Sequence, residues 1–241
     1  MAGLTHPNLV VLTGAGLSAE SGVPTFRGVD GLWEGYQIEE VASPEAFRRT
    51  PELVHRFYNL RRAALHTVQP NAAHQALVKL EQAWPGSFLH VTQNVDDLNE
   101  RVGAQKLRHM HGELRKVRCL WCRNVMPWEA DLDSSTACPI CEKTGKMRPD
   151  IVWFGEIPYY IEEITQALET VDIFICIGTS GVVYPAAGFA RQAASKGAQR
   201  LIEINLESTE ISSHFTERRP GTASVEVPRL VDELLASVGA L

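Results

Sequence analysis

The sequence lacks a hydrophobic run long enough to cross a membrane. None of its apolar stretches approaches the roughly 20 residues that a transmembrane helix needs. The segment "MAGLTHPNLVVLTGAG" at the start has no basic region followed by a cleavable apolar segment. We therefore expect a cytoplasmic protein with no membrane partner.

The sequence also lacks an excess of positive charge. Its 23 Lys and Arg residues are outnumbered by 29 Asp and Glu residues, which gives a formal net charge of -6. A protein that binds nucleic acid mainly through the phosphate backbone needs the opposite balance. We therefore expect no direct nucleic-acid partner, although a local basic patch is compatible with this composition.

Cysteine is scarce, and its spacing is informative. Four of the five cysteines form two close pairs that fit the pattern C-x2-C-x15-C-x2-C. This spacing is typical of a tetrahedral zinc site in which four thiolates bind the metal, so that no position stays open for catalysis. We therefore predict one structural zinc ion, and we expect Cys176 to be a small core residue. The predicted ligands are Cys119, Cys122, Cys138 and Cys141.

Short β-branched runs alternate with helical patterns along the chain. The runs "NLVVLTGAG", "FLHVTQN", "VDIFICIGTSG" and "RLIEINLE" each end in small or polar residues. Helical patterns lie between and after them, near 72–83, 160–170, 186–196 and 228–238. Alternating strands and helices favour an α/β fold in which a parallel sheet is covered by helices on both faces.

Two segments interrupt this alternation and predict a smaller module. Residues 36–66 carry helical patterning without a strand, with Ser43 as a helix N-cap and Pro44 at the first helical position. Residues 116–149 contain the paired cysteines and a polar, turn-rich centre. We predict a single unit over 1–241, in which the main domain comprises 1–35, 67–115 and 150–241 and these two insertions form the smaller module.

A glycine turn directly after the first predicted strand indicates a nucleotide site. Gly14, Gly16 and Ala19 fit the relaxed fingerprint G-x-G-x-x-G/A, in which backbone N–H groups approach a pyrophosphate. An ordinary turn is an equally good interpretation of this fingerprint alone. Two later strand ends, 178–181 and 205–207, support the nucleotide interpretation, because ligands bind at the carboxyl edge of a parallel sheet.

Taken together, these motifs resemble those of the sirtuins, which are NAD-dependent protein-lysine deacylases, and in particular the bacterial desuccinylase and demalonylase type. The chain shares with this family, in order, "GAGLSAESGVPTFRG", "TQNVDDL", His111-Gly112, the four cysteines, "WFGE", "GTS" and "EINLE". The resemblance covers nearly all of the chain from Leu9 to Pro228. It implies a Rossmann-like NAD domain with a smaller zinc-binding and helical module.

The resemblance also implies a set of NAD-binding residues. The glycine loop, the segment after the second strand, and the ends of the last two strands would contact the phosphates, riboses and bases. These residues are Gly14, Ala15, Gly16, Ser18, Glu20, Thr25, Phe26, Arg27, Trp33, Gln93, Asn94, Asp96, Gly178, Thr179, Ser180, Asn205, Glu207 and Ala223. Ala223 is placed only by its distance from Pro228.

His111 matches the catalytic histidine of the family. A neutral imidazole, with a pKa near about 6.5, can accept a proton from a ribose hydroxyl at neutral pH. The implied reaction transfers the acyl group of an acyl-lysine protein or peptide to ADP-ribose and releases nicotinamide, so NAD is consumed as a co-substrate. The segment Val152, Trp153, Phe154, Gly155 and Glu156 would bind the substrate peptide as an added strand. His109 is expected to be structural.

The stretch "RFYNLRRAAL" contains a pair typical of sirtuins that remove negatively charged acyl groups. Tyr58 and Arg61 are three residues apart and lie on one helical face, and Ala42 precedes Tyr58 at the separation found in that subgroup. An arginine and a phenol would compensate the desolvation of a succinyl, malonyl or glutaryl carboxylate. We therefore expect a preference for these acyl groups over acetyl, and we expect Arg62 on the solvated face.

Three other functions use parts of the same pattern. A mono-ADP-ribosyltransferase would add ADP-ribose to protein instead of leaving free lysine. A zinc-ribbon binding module without catalysis would release no nicotinamide, and a dehydrogenase would produce NADH. The sequence leaves the oligomeric state open, with a monomer as the simplest arrangement.

Overall fold

The computed structural model describes residues 6–25, 32–33 and 35–240, with only the backbone of 32 and 33. Strands and helices alternate along most of this length. The strands are β1 (Leu9–Thr13), β2 (Leu32–Trp33), β3 (Tyr36–Gln37), β4 (Phe88–Thr92), β5 (Leu107–His109), β6 (Gly112–Cys119), β7 (Val125–Pro127), β8 (Met147–Ile151), β9 (Ile173–Ile177), β10 (Arg200–Asn205) and β11 (Glu217–Pro220).

Helices cover the sheet and also form the first insertion. The α-helices are α1 (Gly16–Ala19), α2 (Ile38–Val41), α3 (Pro44–Arg49), α4 (Pro51–Ala64), α5 (Ala72–Ala83), α6 (Leu98–Arg101), α7 (Ile161–Leu168), α8 (Phe189–Ser195) and α9 (Ala223–Ser237). Short 3-10 turns lie at Leu65–Thr67, Ala186–Gly188 and Ser212–His214. In the part of the chain that the structure describes, no helix is both long and apolar enough to span a membrane.

The main sheet has six parallel strands in the order β11-β10-β9-β1-β4-β5. The central strands β1 and β9 are buried at every position and apolar except at Thr13, because helices cover both faces of the sheet. One core contains α5 and α9 residues such as Leu77 and Leu234, and the other contains α7 and α8 residues such as Ile164 and Phe189. The predicted fold class is confirmed.

The four predicted strands and four predicted helical patterns all occur in the structure. Two details differ. Residues Tyr36–Gln37 form a two-residue strand where we expected no strand, and α9 begins at Ala223, five residues before the predicted start. Ser43 caps α3 as expected, because its hydroxyl oxygen accepts a 3.0 Å hydrogen bond from the Ala46 N–H.

The cysteine insertion forms a separate antiparallel sheet of three strands in the order β7-β6-β8. Its small core contains Val117, Leu132 and Met147 together with the cysteines. The helical insertion has its own cluster, which includes Val41, Phe57 and Trp153. Since β6 and β8 run through residues 115 and 149, the exact domain boundaries stay a prediction.

Candidate functional site

The glycine turn after β1 crosses the end of β9 at very close range. A Cβ atom on Gly16 would lie 2.6 Å from the Gly178 Cα, and Gly178 itself has a φ of +61°. The Gly14 and Gly16 N–H groups donate to the Ile177 and Gly178 carbonyls, each at 2.9 Å. These two N–H groups therefore donate within the protein, and the glycines shape the sheet edge by permitting the crossing.

A buried polar cluster lies beside this turn. The Ser18 hydroxyl donates to Asp96 Oδ2 at 3.0 Å and accepts from the Asn94 amide at 3.1 Å. Burial raises the pKa of Asp96, although hydrogen bonds from the Leu98 N–H and Ser18 oppose that shift. Three of the predicted NAD-binding residues are therefore held together by direct hydrogen bonds.

His74 completes this cluster, and sequence reasoning missed it. Its Nδ1 accepts from the Asn71 N–H at 3.2 Å, so its Nε2 carries the proton and points to Ser18 Oγ at 3.4 Å. Burial lowers the pKa of His74 to about 4, which keeps the ring neutral. In the sequence, His74 lies three residues after Asn71, the N-cap of α5. That spacing was the signal that could have identified it.

His111 follows β5 and faces the residues after β4. The N–H of the preceding residue, Met110, donates to the Thr92 carbonyl at 3.0 Å, which holds His111 beside the end of β4. Burial lowers the pKa of His111, and the opposing backbone contribution of Gln93 only partly offsets this. The imidazole is therefore neutral at pH 7 and can accept a proton.

His109 has different surroundings. Its Nδ1 donates to the Asn94 carbonyl at 2.9 Å, and its Nε2 lies 2.6 Å from a Glu100 carboxylate oxygen. Burial acts to lower the pKa of His109, but the hydrogen bond and charge of Glu100 outweigh it and raise the pKa. Both nitrogens face acceptors, so His109 fits the structural role that we expected.

Several other predicted NAD residues follow β9 and β10 at the carboxyl edge of the sheet. The Asn205 amide donates to the Thr179 carbonyl at 2.7 Å, which joins the ends of β9 and β10. Ser180 is half-buried next to Thr179. Asn205 and Glu207 line a cavity of about 260 Å³ together with Arg218.

Glu20 contacts the first turn of α9 at Ser224, the residue after Ala223. Glu20 accepts hydrogen bonds from the Ser224 N–H at 2.8 Å and the Ser224 hydroxyl at 2.6 Å, and so caps α9. Burial acts to raise the pKa of Glu20, but the Ser224 hydrogen bonds outweigh it and lower the pKa. Thr25 is exposed at the end of the described loop. Phe26, Arg27 and the Trp33 side chain lie outside the described residues.

Tyr58 and Arg61 are buried, so they do not belong to a solvated helical face. Their exposed fractions are 1% and 8%, and Tyr58 shares a hydrophobic cluster with Ala42 and Trp153. The Arg61 guanidinium lies 5.6 Å from the centre of the Phe57 ring. Burial raises the pKa of Tyr58, so its phenol stays protonated.

The expectation for Arg62 is wrong. Only 2% of Arg62 is exposed, and its Nε donates to the Leu114 carbonyl at 2.8 Å. One terminal nitrogen donates to Asn59 Oδ1 at 3.0 Å and to the Ala130 carbonyl at 3.3 Å. Arg62 therefore attaches α4 to the cysteine insertion, which packs against a helical face that we expected to be solvated.

The segment from Val152 to Glu156 follows β8 and contacts the helical insertion at Ala42. The Val152 N–H donates to the His111 carbonyl at 2.9 Å, and the Phe154 N–H donates to the Ala42 carbonyl at 3.0 Å. Glu156 accepts two hydrogen bonds from Arg148, at 2.7 and 2.9 Å. Gly155 has a φ of +87°, and the Phe154 side chain is exposed. The segment therefore touches both the histidine and the helical insertion.

The four paired cysteines converge as a metal site requires. All four sulfur atoms lie within 4.8 Å of one another, and the Cys119–Cys141 and Cys122–Cys138 Sγ separations are 3.7 Å. A disulfide would require about 2 Å, whereas a zinc tetrahedron with bonds of about 2.3 Å has sulfur separations of about 3.8 Å. The residues therefore fit a structural zinc ion.

The two cysteine pairs have nearly the same backbone geometry. The Arg123 N–H donates to the Cys119 carbonyl at 2.9 Å, and the Glu142 N–H donates to the Cys138 carbonyl at 2.8 Å. Arg123 and Glu142 both have left-handed φ values, 63° and 60°. Each pair thus forms a tight turn that aims two sulfur atoms at a common centre.

Comparison with known proteins identifies close relatives. A family model described as the Sir2 family matches residues 14–185. An "NAD-dependent protein deacylase" of Bdellovibrio bacteriovorus is 57% identical over 95% of this chain and 97% of its own length. A protein of the same name from Escherichia coli K12 is 51% identical over 98% of this chain and 85% of its own length.

Solved structures agree with these relatives. A crystal structure of a Sir2 homolog–NAD complex aligns with a TM-score of 0.86 at 40% identity, over 95% of this chain and 90% of the other. A Sir2 structure with a deacetylated p53 peptide aligns with a TM-score of 0.80 at 29% identity, over 97% of this chain and 94% of the other. Sequence and fold thus lead to one conclusion: the chain belongs to the Sir2 family.

Proposed function

We propose that this protein is an NAD-dependent protein deacylase that favours lysines carrying negatively charged acyl groups, such as succinyl and malonyl, over acetyl-lysine. Its substrates are acyl-lysine proteins, and NAD is the co-substrate that accepts the acyl group as ADP-ribose. Relatives at 51% and 57% identity that carry the name NAD-dependent protein deacylase support the reaction class. The acyl preference rests on the residues of this chain.

In this proposal NAD lies along the carboxyl edge of the main sheet. Gly178, Thr179, Ser180 and Asn205 contact its phosphates and ribose, and the cluster of Ser18, Asn94 and Asp96 lies at the nicotinamide end. The support is their position on adjoining strand ends and the direct hydrogen bonds within the cluster. The remaining predicted NAD residues keep the roles given by the family resemblance.

His111 acts as the general base in this proposal. It accepts the proton of the ribose 2′-hydroxyl when that oxygen attacks the acyl carbon. Its lowered pKa supplies the neutral ring that this step needs. The segment 152–156 binds the substrate peptide beside it, supported by the hydrogen bond between Val152 and the His111 carbonyl.

The burial of Tyr58 and Arg61 beside Ala42 carries the proposed acyl preference. An acyl carboxylate entering this region loses its hydration, and it needs donors that replace water. A buried guanidinium and a protonated phenol are such donors, and hydrogen bonds to a charged group contribute about 1.5–3 kcal/mol. Acetyl-lysine offers no charge to these donors, so it gains less.

A panel of acyl-lysine peptides with NAD tests this function. We expect wild type to show a higher kcat/KM for succinyl-lysine than for acetyl-lysine, and Arg61→Met to lower that ratio by roughly 10-fold or more. The matched control is Arg56→Met, which removes an exposed arginine from the same helix. An unchanged ratio in Arg61→Met would contradict the assigned role, and the absence of nicotinamide release would contradict the reaction.

A further inference from the structure

The Trp153 side chain contacts Tyr58 directly. Its indole Nε1–H donates to the Tyr58 hydroxyl oxygen at 2.9 Å. The two ring centres are 6.3 Å apart, and only 2% of Trp153 is exposed. The side chain of Trp153 is therefore buried in the helical insertion, and this places it away from a peptide on the surface.

This contact determines how Tyr58 can form further hydrogen bonds. An indole N–H is a donor only, so it occupies a lone pair of the Tyr58 oxygen and leaves the phenolic hydrogen to point elsewhere. Within residues 6–25 and 35–240, no backbone or side-chain group accepts that hydrogen. The phenol is protonated because burial raises its pKa. Tyr58 is thus an oriented donor.

A buried ion pair holds Trp153 in this orientation. The Arg148 guanidinium lies 3.3 Å from the centre of the Trp153 ring and binds Glu156 with two hydrogen bonds. Glu156 in turn accepts from the Trp153 backbone N–H at 2.8 Å. Arg148 also donates to the Ile151 carbonyl at 2.6 Å. Trp153 is therefore held both by the hydrogen bond of its backbone N–H and by the guanidinium that lies over its ring.

We propose that Trp153 is a positioning residue for acyl selectivity, because its indole N–H turns the Tyr58 hydroxyl into a donor directed at the acyl group. The inference rests on the proposed function and assigns a cause to its selectivity. A carboxylate accepts from both Tyr58 and Arg61, whereas the acetyl methyl group accepts from neither. The Arg148–Glu156 pair acts through Trp153 and supports the same orientation.

Three variants test this inference: Trp153→Phe, Tyr58→Phe and the double variant. Trp153→Phe removes the indole N–H but keeps an aromatic ring. We expect Trp153→Phe to lower the ratio of succinyl to acetyl kcat/KM by about 3- to 10-fold, in keeping with one hydrogen bond. In the Tyr58→Phe background, the same change should lower the ratio no further. Trp121→Phe, at an exposed tryptophan, is the matched control and should keep the wild-type ratio.

Two results would overturn the inference. One is a Trp153→Phe variant that keeps the wild-type ratio or loses both activities equally, which indicates a merely structural role. The other is an additive loss in the double variant, which means that Trp153 acts independently of Tyr58. If wild type shows no preference for succinyl-lysine, the proposed acyl preference is wrong. Trp153 then has no selectivity to determine, and the inference fails with it.

A spectroscopic measurement checks the contact without relying on activity. In protein labelled with 15N at its tryptophan indoles, one indole N–H resonance should disappear in Trp153→Phe. The missing resonance is thereby assigned to Trp153. We expect that resonance to move upfield in Tyr58→Phe, because the indole N–H loses its acceptor. An unchanged resonance would show that the hydrogen bond is absent in solution, and the inference would fail even if wild type prefers succinyl-lysine.

Discussion

His109 and His111 lie two residues apart on one strand end, and their neighbours shift their pKa values in opposite directions. The carboxylate of Glu100 raises the pKa of His109, whereas desolvation lowers the pKa of the half-buried His111 and outweighs the opposing backbone contribution of Gln93. Burial without a compensating charge favours the neutral imidazole. At the scale of single residues, the neighbouring carboxylate therefore separates the structural histidine from the proposed base.

The pH dependence of the reaction follows from the environment of His111. A base with a lowered pKa stays neutral, and therefore active, at neutral pH and loses activity as the pH falls through its pKa. We expect the acidic limb of kcat/KM to have its midpoint below the ordinary histidine value of about 6.5. An acetyl-lysine peptide is the suitable substrate, because its acyl group does not titrate. A midpoint at or above that value would contradict the assignment.

Residue spacing predicted the cysteine cluster but not the position of Arg62. Two cysteines separated by two residues can reach one metal through local backbone geometry, so the sequence itself contains that information. The burial of Arg62 depends on Leu114 and Ala130, which lie far along the chain. Helical periodicity gives the direction of a side chain but not what packs against it.

At the scale of elements, apolar β-branched runs predicted the central strands because each is buried on both faces. The strands β6 and β8 were missed, since "GELRKVRC" and "MRPDI" carry charged residues that pair across or beside the small sheet. The helical pattern near 228–238 missed the first five residues of α9. The actual cap comes from Glu20, which is distant in sequence.

Helix α4 is attached to the cysteine insertion by Arg62 and Asn59, and this predicts a large effect of one substitution. Arg62→Met removes the donor to the buried Leu114 carbonyl and the donors to Asn59 and to the Ala130 carbonyl, so we expect it to lower the free energy of unfolding by about 2–4 kcal/mol. Chemical denaturation measures this loss. Arg56→Met is the control and should stay within about 0.5 kcal/mol of wild type. Equal stabilities of the two variants would contradict the attachment.

At the scale of the whole molecule, the described residues pack around distinct apolar clusters. Two cover the faces of the main sheet, and the cysteine insertion has a much smaller core of its own. A core of that size cannot offset the conformational entropy of ordering three strands. We infer that the stability of this insertion depends on the metal, as in small zinc-binding modules.

Metal analysis tests this dependence. We expect the purified protein to contain one zinc ion per chain and Cys138→Ser to lose it, with a lower thermal midpoint because the insertion loses its metal cross-link. Cys176→Ala should keep its zinc, because that thiol lies in the core beside Thr179. Full zinc occupancy in Cys138→Ser would show that this sulfur is not a ligand.

The hydrogen bonds of His111 have a mechanical consequence. The Met110 N–H beside it donates to the Thr92 carbonyl of the main sheet, and the His111 carbonyl accepts from the Val152 N–H just after the small sheet. A rotation of one sheet against the other would therefore pivot close to the imidazole. In such a rotation, His111 would be displaced little, whereas the cysteine cluster at the other end of β6 would be displaced further.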